Sequence, residues 1–360
     1  AISYLEKNKI DLLTKICGEQ KVSLRSIDSG SQILLGVRNL EDLISLNQNS
    51  LLGRDQISID QQAVTELIKG KSILVTGAGG SIGSEIARQC ISHTPKEIFL
   101  LDRDESSLHS LELEIFGTGL MSRESIILVD IRDKVALEQV FKVIKPQIVF
   151  HAAALKHLPI LEKYPDEAMK TNVEGTRNVL ELSRKYSVEI FVNISTDKAA
   201  DPTSILGKTK MLAEQLTKTF SEQSPNSKYI SVRFGNVIGS RGSFMHTFKY
   251  QIDNDLPITI TDPEVTRYFM TVKEAVGLVL QSSVVGSNGE TLILDMGKPV
   301  KIEEIARFMI SQSGKDLAIN YTGLRPGEKM HEVLNSKTEN LKNRFHPKIY
   351  HTVVNDGEAD

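Results

Sequence analysis

Short apolar runs alternate with longer helix-compatible stretches through most of the chain. Six runs rich in valine, isoleucine and leucine occupy 72–77, 97–102, 125–130, 147–153, 189–195 and 229–235. Strands that are apolar on both faces are typical of a parallel sheet covered by helices on both sides. The pattern therefore predicts an α/β fold with a doubly wound parallel sheet of the Rossmann type.

Changes in composition and in the regularity of the alternation divide the sequence into three parts. A polar stretch at 47–62 precedes the first run, and the regular alternation weakens after Gly235. We expect an N-terminal α/β remnant and linker at 1–66, the Rossmann domain at 67–235, and a smaller substrate-binding lobe at 236–360 with some segments returning to the sheet. In the first part the spacing predicts a helix over 4–17 and a strand over 21–27. Because the chain opens directly on this helix-like segment, we expect it to be part of a longer protein.

The composition favours a globular enzyme. A net charge of −3 gives no general attraction to nucleic acid or to anionic lipid. Cys17 and Cys90 are the two cysteines, and their separation matches no metal-binding or redox motif. No apolar run approaches the roughly 18 residues that a membrane span needs. We therefore expect a soluble chain in a reducing cytoplasm, without a metal site.

A glycine-rich turn follows the first apolar run and opens a helix. Glycines at 77, 80 and 83 allow a tight turn and bring the N–H groups of a helix N-terminus close to a pyrophosphate. Asp102 ends the second run, where a carboxylate can bind the ribose hydroxyls of an adenosine. This combination predicts a dinucleotide site. Asp102 favours NAD over NADP because its charge repels a 2′-phosphate, although Arg103 beside it weakens the preference.

A hydroxyl, a carboxyl and an amine follow the fifth run on consecutive residues, Thr196, Asp197 and Lys198. Removing water across C5 and C6 of a hexose needs such groups. Oxidation at C4 acidifies the C5 proton, a base takes that proton, and an acid protonates the departing C6 hydroxyl. An isolated tripeptide of this kind is more often a solvated turn, but its position after a buried strand favours the catalytic interpretation.

The glycine spacing and the residues after the fifth run resemble the extended short-chain dehydrogenase/reductase family. That family carries a Tyr-x-x-x-Lys pair on the next helix; here the lysine is Lys210, whereas the tyrosine position holds Leu206. Its sugar-nucleotide 4,6-dehydratases carry Thr-Asp-Glu or Thr-Asp-Lys at the place of 196–198. The resemblance implies that Asp197 is the acid at C6, Lys198 the base at C5 and Thr196 a partner of the C4 oxygen. Thr196, Asp197 through water, and Lys210 all remain open as the group that takes the C4 hydroxyl proton.

The dinucleotide contacts combine the glycine turn, the strand ends and this resemblance. Asp130 and Ile131 end the third run and are expected near the adenine, although Asp130 also fits an ordinary strand-end acid. The full set is Gly77, Gly80, Ser81, Ile82, Gly83, Asp102, Arg103, Asp130, Ile131, Ala152, Ala153 and Lys210.

Further segments resemble one subgroup, the membrane-anchored polysaccharide-biosynthesis dehydratases that act on UDP-N-acetylglucosamine. They are 151–159, 172–176, 233–237, 239–243, 266–270 and 324–329. Small soluble relatives that invert C5 keep the tyrosine, so Leu206 indicates the non-inverting subgroup, which commonly has methionine there. The resemblance implies an NAD-dependent lyase whose full-length form is held at the inner membrane, facing the cytoplasm, by an N-terminal anchor that this chain lacks.

Polar residues in the later loops are candidates for binding the UDP-sugar. Arg241, Arg267 and Arg325 could converge on its two phosphates through bidentate contacts, although each alone is more commonly a surface charge. Glu328 is a candidate for the uridine ribose or an ordinary helix N-terminal acid. The residues expected at the substrate are Leu155, Lys156, Asn236, Arg241, Ser243, Arg267, Arg325 and Glu328.

Other functions remain open at this point. A UDP-N-acetylhexosamine 4-epimerase shares the fold, the cofactor and the first oxidation but keeps the C6 hydroxyl, and a C5-inverting 4,6-dehydratase differs in stereochemistry. A catalytically silent module that binds NAD or a UDP-sugar is the non-enzyme alternative, which Leu206 alone favours. By resemblance, helices around 166–186 and 204–221 pair with a second copy. We expect a homodimer or higher homo-oligomer, a UDP-sugar substrate and no nucleic acid.

Overall fold

The computed structural model describes residues 58–343 and 345–354. The helix and strand expected over 4–17 and 21–27 lie outside these residues. The strands are β1 Ser72–Thr76, β2 Glu97–Asp102, β3 Ile126–Leu128, β4 Ile148–His151, β5 Ile190–Thr196, β6 Lys228–Phe234, β7 Asn236–Ile238, β8 Ile258–Ile260, β9 Thr266–Arg267, β10 Phe269–Thr271, β11 Thr291–Leu294, β12 Val300–Lys301, β13 Ile319–Tyr321, β14 Lys342–Asn343 and β15 Ile349–Thr352.

The helices alternate with the strands through most of this length. They are α1 Gln61–Ile68, α2 Ser81–Ser92, α3 Glu105–Phe116, α4 Lys134–Ile144, α5 Leu158–Lys163, α6 Pro165–Ala168, α7 Thr176–Lys185, α8 Ile205–Glu222, α9 Phe244–Asp253, α10 Val272–Val285 and α11 Ile302–Ser313. A π-helix, Met169–Gly175, joins α6 to α7, and a 3₁₀ turn, Asp197–Ala199, follows β5.

Two compact units make up the described chain, and each is built from separated stretches. The sheet unit contains 58–235, Val272–Met296 and 325–354, whereas the small unit contains Asn236–Thr271 and Gly297–Leu324. The three-part division expected from the sequence remains a prediction.

The sheet unit is built on one sheet with the order β14-β15-β11-β6-β5-β4-β1-β2-β3. Across the sheet, neighbouring strands are parallel from β11 through β6, β5, β4, β1 and β2 to β3. β15 pairs antiparallel with β11, and β14 pairs antiparallel with β15. All six apolar runs form parallel strands, so the predicted α/β class with a Rossmann-type sheet is confirmed. The order reverses beside β1 and β4, and in such sheets ligands bind outside the carboxyl ends of the strands at this reversal.

Local sequence explains where several helices begin. The side chains of Asp104, Asp133 and Ser204 accept hydrogen bonds from the backbone N–H three residues further on, at the first turns of α3, α4 and α8. Such caps satisfy backbone donors that have no partner inside the helix. One face of the sheet packs on α4 and α7 through a buried cluster that includes Leu137, Phe141 and Val179.

The small unit holds short strand pairs and two helices. β7 pairs with β10 and β8 with β13 in parallel, whereas β9 pairs antiparallel with β12. Phe244 lies with its ring centre 5.2 Å from that of Phe248 and 5.7 Å from that of Phe269. Among the described residues of both units, no helix has the length and apolar character that a bilayer crossing requires.

Candidate active site

The glycine turn after β1 allows three backbone segments to meet closely. Gly77 has φ +67°, and a Cβ there would lie 2.6 Å from the Cα of Ala153 in the loop after β4. A Cβ on Gly83 would lie 2.2 Å from the Gly77 carbonyl oxygen, so α2 packs directly on the turn. Gly80 precedes α2 without a side-chain cap. Ser81, Ile82 and Gly83 therefore form the first turn of a helix whose N-terminus suits an anion.

Asp102 ties the glycine turn to the end of β2. Its Oδ2 accepts a hydrogen bond from the Gly79 N–H at 2.9 Å, and its Oδ1 accepts from the N–H groups of Arg103 and Asp104 at 2.7 and 3.0 Å. A carboxylate oxygen can accept more than one bond, so Asp102 keeps acceptor capacity for a ribose hydroxyl.

A groove runs along the carboxyl ends of the strands within the sheet unit. Its lining contains most residues expected at the dinucleotide: Gly77, Gly80, Asp102, Arg103, Asp130, Ile131, Ala152, Ala153 and, from the substrate set, Leu155. Within this lining, a Cβ on Gly77 would lie 2.6 to 2.8 Å from backbone atoms of Ala152 and Ala153, so these segments touch directly. The groove therefore fits an extended group carrying a diphosphate and a ribose.

Asp130 is held mainly by Arg132. Burial opposes its ionisation, but three bonds from Arg132 at 2.7 to 2.9 Å and the Arg103 guanidinium 3.5 Å away keep the pKa of Asp130 below its ordinary value. The carboxylate is charged and shared by two arginines. Asp130 therefore presents at the groove a carboxylate acceptor that Arg132 and Arg103 hold in place.

The loop after β4 is fixed by the π-helix. Asn172 accepts from the Leu155 N–H at 2.8 Å and donates to the Leu155 carbonyl at 3.0 Å and to the Thr209 hydroxyl at 3.1 Å. Thr171 beside it lines the groove, and its buried hydroxyl has no hydrogen-bond partner within the described part of the chain. Thr171 was not among the residues expected at the site, because nothing in the sequence pattern predicts the π-helix there. Lys156 follows Leu155 and is exposed.

His151, at the end of β4, is buried between two threonines. Its Nδ1 lies 2.7 Å from the Thr76 hydroxyl and its Nε2 lies 2.9 Å from the Thr176 hydroxyl. Burial first, and the charge of Lys210 second, lower the pKa of His151 to about 3. The neutral ring therefore joins β1, β4 and α7 beneath the groove.

The triplet after β5 forms one hydrogen-bonded group. The Thr196 hydroxyl donates to Asp197 Oδ1 at 2.9 Å, and Lys198 Nζ donates to the same oxygen at 3.0 Å. The side chain of Asp197 is 0% exposed. Its Oδ2 is also buried and has no hydrogen-bond partner among the described residues. Thr196 and Lys198 thus offer a hydroxyl and an amine that both bond one oxygen of the Asp197 carboxyl.

Lys210 and Leu206 face different surroundings on α8. Lys210 Nζ donates to the Ile194 carbonyl in β5 at 2.6 Å, and burial lowers the pKa of Lys210 to about 8, opposed by the charge of Glu214. Leu206 is 5% exposed and packs in an apolar cluster with Leu161 and Ala168. The lysine therefore reaches the strand that carries the triplet, whereas the tyrosine position is filled by aliphatic packing.

The remaining substrate candidates are divided between the units. Asn236, Arg241, Ser243 and Arg267 belong to the small unit, where Arg267 is buried and donates to the Thr266 carbonyl at 2.7 Å. Arg325 and Glu328 belong to the sheet unit, where the Arg325 N–H donates to Glu328 Oε2 at 3.3 Å. The expected convergence of the three arginines on a diphosphate remains a prediction.

One acidic residue at the triplet was absent from the sequence-based set. Glu332 is buried, with Oε1 lying 3.8 Å from Lys198 Nζ. No spacing rule links it to 196–198, because the contact is formed only by the fold. Within the described residues, no cluster of histidine, cysteine or acidic side chains is arranged to hold a metal ion.

Comparison with known proteins places this site in a family. A family model described as "Polysaccharide biosynthesis protein" matches residues 73–354. The chain belongs to the polysaccharide biosynthesis protein family. This polysaccharide biosynthesis protein is 41% identical over 354 residues to the capsular polysaccharide biosynthesis protein CapD of Staphylococcus aureus, a match that covers 97% of this chain and 59% of CapD. The chain therefore spans about three fifths of that relative's length.

Other relatives of this polysaccharide biosynthesis protein carry enzyme names. It is 32% identical over 280 residues to a UDP-N-acetylglucosamine 4,6-dehydratase (inverting) of Campylobacter jejuni, across 76% of this chain and 80% of that protein. It is 33% identical over 278 residues to a UDP-glucose 4-epimerase of Rickettsia prowazekii, with the same two coverages of 76% and 80%. Among solved structures, Pen from Bacillus thuringiensis is similar with a TM-score of 0.74 and 32% identity, over 79% of this chain and 90% of that chain.

Proposed function

We propose that this chain is the catalytic part of an NAD-dependent UDP-N-acetylglucosamine 4,6-dehydratase. Its product is the UDP-2-acetamido-2,6-dideoxy-4-keto-hexose with the configuration at C5 retained, for surface polysaccharide or glycoprotein synthesis. The observation that carries the proposal is the group at the end of β5 in which Thr196 and Lys198 both bond the buried carboxyl of Asp197. An acid and an amine at this position suit elimination, which a simple dehydrogenase does not need.

The groove beside the glycine turn supports NAD as the cofactor. The close approaches at Gly77 and Gly83 leave room for a pyrophosphate at the start of α2, and the Asp102 carboxylate remains able to accept from ribose hydroxyls. When bound, NAD⁺ supplies the hydride acceptor for C4 and returns the hydride to C6, so that it is not consumed.

The triplet accounts for the elimination itself. Lys198 Nζ takes the C5 proton after C4 has become a ketone, and the Asp197 carboxyl protonates the C6 hydroxyl, which leaves as water. Lys198 and Asp197 already share a hydrogen bond, so a proton can pass from the amine to the carboxyl before the substrate reacts. Thr196 donates to the same Asp197 oxygen and is a candidate partner of the C4 oxygen.

Lys210 is a candidate for taking the C4 hydroxyl proton. Its pKa of about 8 leaves a fraction of the amine neutral at neutral pH, and its bond to the Ile194 carbonyl places it next to the strand that carries Thr196. Thr196 itself, and Asp197 through a water, remain alternatives for this step.

Two related reactions are the competing candidates. A relative named as a UDP-glucose 4-epimerase shares about a third of the aligned sequence, and an epimerase would use the same C4 oxidation without losing C6 oxygen. The inverting dehydratase among the relatives favours C5 inversion instead. Leu206, buried in an apolar cluster, supports retention because it provides no hydroxyl that could reprotonate C5 from a second direction.

We also propose that the chain works in the cytoplasm as a homodimer or higher homo-oligomer, with its full-length form held at the inner membrane through an N-terminal anchor. The low cysteine content supports a reducing compartment.

The decisive experiment is turnover of UDP-N-acetylglucosamine in D₂O followed by NMR of the product. A 4-keto-6-deoxy sugar that carries deuterium at C5 with retained configuration is the expected outcome. A C4 epimer that still has its C6 hydroxyl would establish the epimerase, and inverted C5 would establish the inverting dehydratase.

Variants of the triplet test the assignment of roles. Asp197→Asn and Lys198→Met should each lower the rate of 4-keto sugar formation by about 10²-fold or more, because each removes one side of the proton transfer. Exposed Glu174→Gln serves as the matched control and should leave the rate unchanged. Unaltered product formation in both triplet variants would contradict the mechanism.

A further inference from the structure

A segment far from the triplet in sequence lies across it in the sheet unit. We define residues 325–339 as the C-terminal strap. Lys329 Nζ donates to the Ala200 carbonyl at 2.9 Å, and the Thr203 hydroxyl donates to the Gly327 carbonyl at 3.1 Å. A Cβ on Gly327 would lie 2.9 Å from that of Ser204. The strap is therefore in direct contact with the turn that follows Lys198.

The far end of the strap is held by a buried arginine. Arg233 in β6 donates to the Leu334 carbonyl at 3.2 Å and to Glu339 Oε2 at 2.9 Å. The same guanidinium bonds Glu214 of α8 at 2.6 Å. Although burial opposes the charge, Glu214 and Glu339 raise the pKa of Arg233 well above its ordinary value. A permanently charged residue therefore fixes the strap to the strand and helix that flank the triplet.

Glu332 is the strap residue that enters the triplet. Its side chain is 3% exposed, with Oε1 lying 3.8 Å from Lys198 Nζ and Oε2 lying 3.7 Å from Lys329 Nζ. Lys198 Nζ also lies 3.0 Å from Asp197 Oδ1. The amine proposed to remove the C5 proton thus lies within 4 Å of two buried carboxylates.

These two carboxylates cannot have the same task. Asp197 must carry a proton before it can protonate the C6 hydroxyl, so it is neutral when Lys198 takes the C5 proton and becomes positive. Glu332 has no leaving group to protonate and can keep its charge throughout. A fixed negative charge beside an amine that becomes an ammonium stabilises the transition state of that proton transfer, most strongly where water is excluded.

We propose that Glu332 is a positioning residue for Lys198. The Glu332 carboxylate orients the Lys198 amine toward C5 and stabilises the ammonium that forms there. This inference rests on the proposed dehydratase function. Lys329, bonded to Ala200 and close to Glu332, balances the second oxygen of the carboxylate. The strap thereby completes the catalytic group from a distant part of the chain.

The test separates the two halves of the reaction in single turnovers. Oxidation at C4 is followed by the absorbance of NADH, and removal of the C5 proton by deuterium entering C5 from D₂O. Glu332→Gln keeps the size of the side chain and removes its charge. We expect product formation and C5 exchange to slow by about 10-fold to 100-fold, C4 oxidation to keep its rate, and NADH to accumulate. Glu332→Asp should restore part of the rate.

Ser336→Ala is the matched control, because it removes the strap's 2.6 Å bond to Asp201 without changing any charge near Lys198. It should retain the wild-type rates of both steps. Melting temperatures of all variants are measured alongside.

Equal loss of C4 oxidation and C5 exchange in Glu332→Gln would overturn the proposal, as would an unchanged C5 exchange rate. So would equal slowing in Ser336→Ala, which would show that the strap is only a structural clamp. The wild-type protein is assayed first: if it forms no 4-keto sugar, the proposed function has failed, and this inference fails with it for that separate reason.

Discussion

Leu206 brings no hydroxyl and no titratable group to the site. It lies in the position where the family resemblance leads one to expect a tyrosine, and its surroundings are the side chains of Leu161 and Ala168. A phenol would need both more volume and a hydrogen-bond partner in this cluster. Such a pocket accepts an unbranched apolar side chain of similar volume, such as methionine, far better than an aromatic one.

Restoring the tyrosine should therefore damage the fold without changing the reaction. Leu206→Tyr is expected to lower the free energy of unfolding by about 1–3 kcal/mol through overpacking, and its product should keep the C5 configuration. Leu206→Met should cost less than about 1.5 kcal/mol. Denaturant unfolding and NMR of the product measure both effects. A fully stable tyrosine variant that inverts C5 would show that residue 206 selects the stereochemistry by itself.

His151 makes stability depend on pH in a defined direction. Its pKa is about 3 in the folded chain, lowered chiefly by burial, against an ordinary value of 6.5. Between these pH values the unfolded chain binds a proton that the folded chain does not. The stability due to neutral His151 is therefore fully present above pH 6.5 and is lost as the pH falls from 6.5 toward 3, by up to about 1.4 kcal/mol per pH unit.

The comparison of wild type with His151→Gln isolates this contribution. The variant is expected to be less stable at pH 7, because it disturbs the bonds to Thr76 and Thr176, but to lose less stability on acidification. Unfolding free energies are measured from pH 4 to pH 7. Parallel curves for the two proteins would mean that His151 is not the group responsible.

At the scale of secondary structure, the contact between the glycine turn after β1 and α2 decides the shape of the groove. The Gly77 carbonyl lies where a side chain on Gly83 would be, and neither backbone segment can yield cheaply, since one is a tight turn at the end of a central strand and the other is a helix. Any side chain at 83 must push α2 away from the sheet. The helix N-terminus would move with it.

Gly83→Ala should therefore destabilise the protein and weaken dinucleotide binding together. We expect a loss of about 2–3 kcal/mol in the free energy of unfolding and at least about a 10-fold weaker affinity for NADH, followed by its fluorescence. Ser92→Ala, at the other end of α2, is the control and should change neither quantity. Wild-type affinity in the glycine variant would show that the cofactor does not depend on this helix.

Helices also show where local patterns stop being sufficient. The sequence predicts one helix over 166–186, whereas the structure has α6, a π-helix and α7 across this stretch. Asn172 in the π-helix bonds Leu155 and Thr209, and these partners come from other parts of the chain. The spacing of apolar residues does not predict contacts between distant parts of the chain. The place of Thr171 at the groove and the bonds of Asn172 behind it could therefore not be predicted from the sequence.

Across the whole molecule, features formed by residues close together along the chain could be predicted from the sequence, whereas contacts between distant residues could not. The six parallel strands and the glycine turn were predictable because their signals are local, and the residues lining the groove lie at fixed positions after strand ends. Arg325 and Glu328 of the strap were expected at the substrate by resemblance, but Glu332 was not predictable, because the strap meets the triplet through contacts such as Lys329 to Ala200, which bond across 129 positions. The short strands β14 and β15 leave too few residues for a recognisable alternation.

Because the sheet unit is built from separated stretches of the chain, its parts are synthesised at different times. During translation β1 to β6 emerge first, followed by a stretch that belongs to the small unit, and residues 325–354 emerge after both. Until then β11 lacks its antiparallel neighbour and Lys198 lacks Glu332. A nascent chain can thus build the nucleotide groove early, while the group at 196–198 is completed only when the strap has been made.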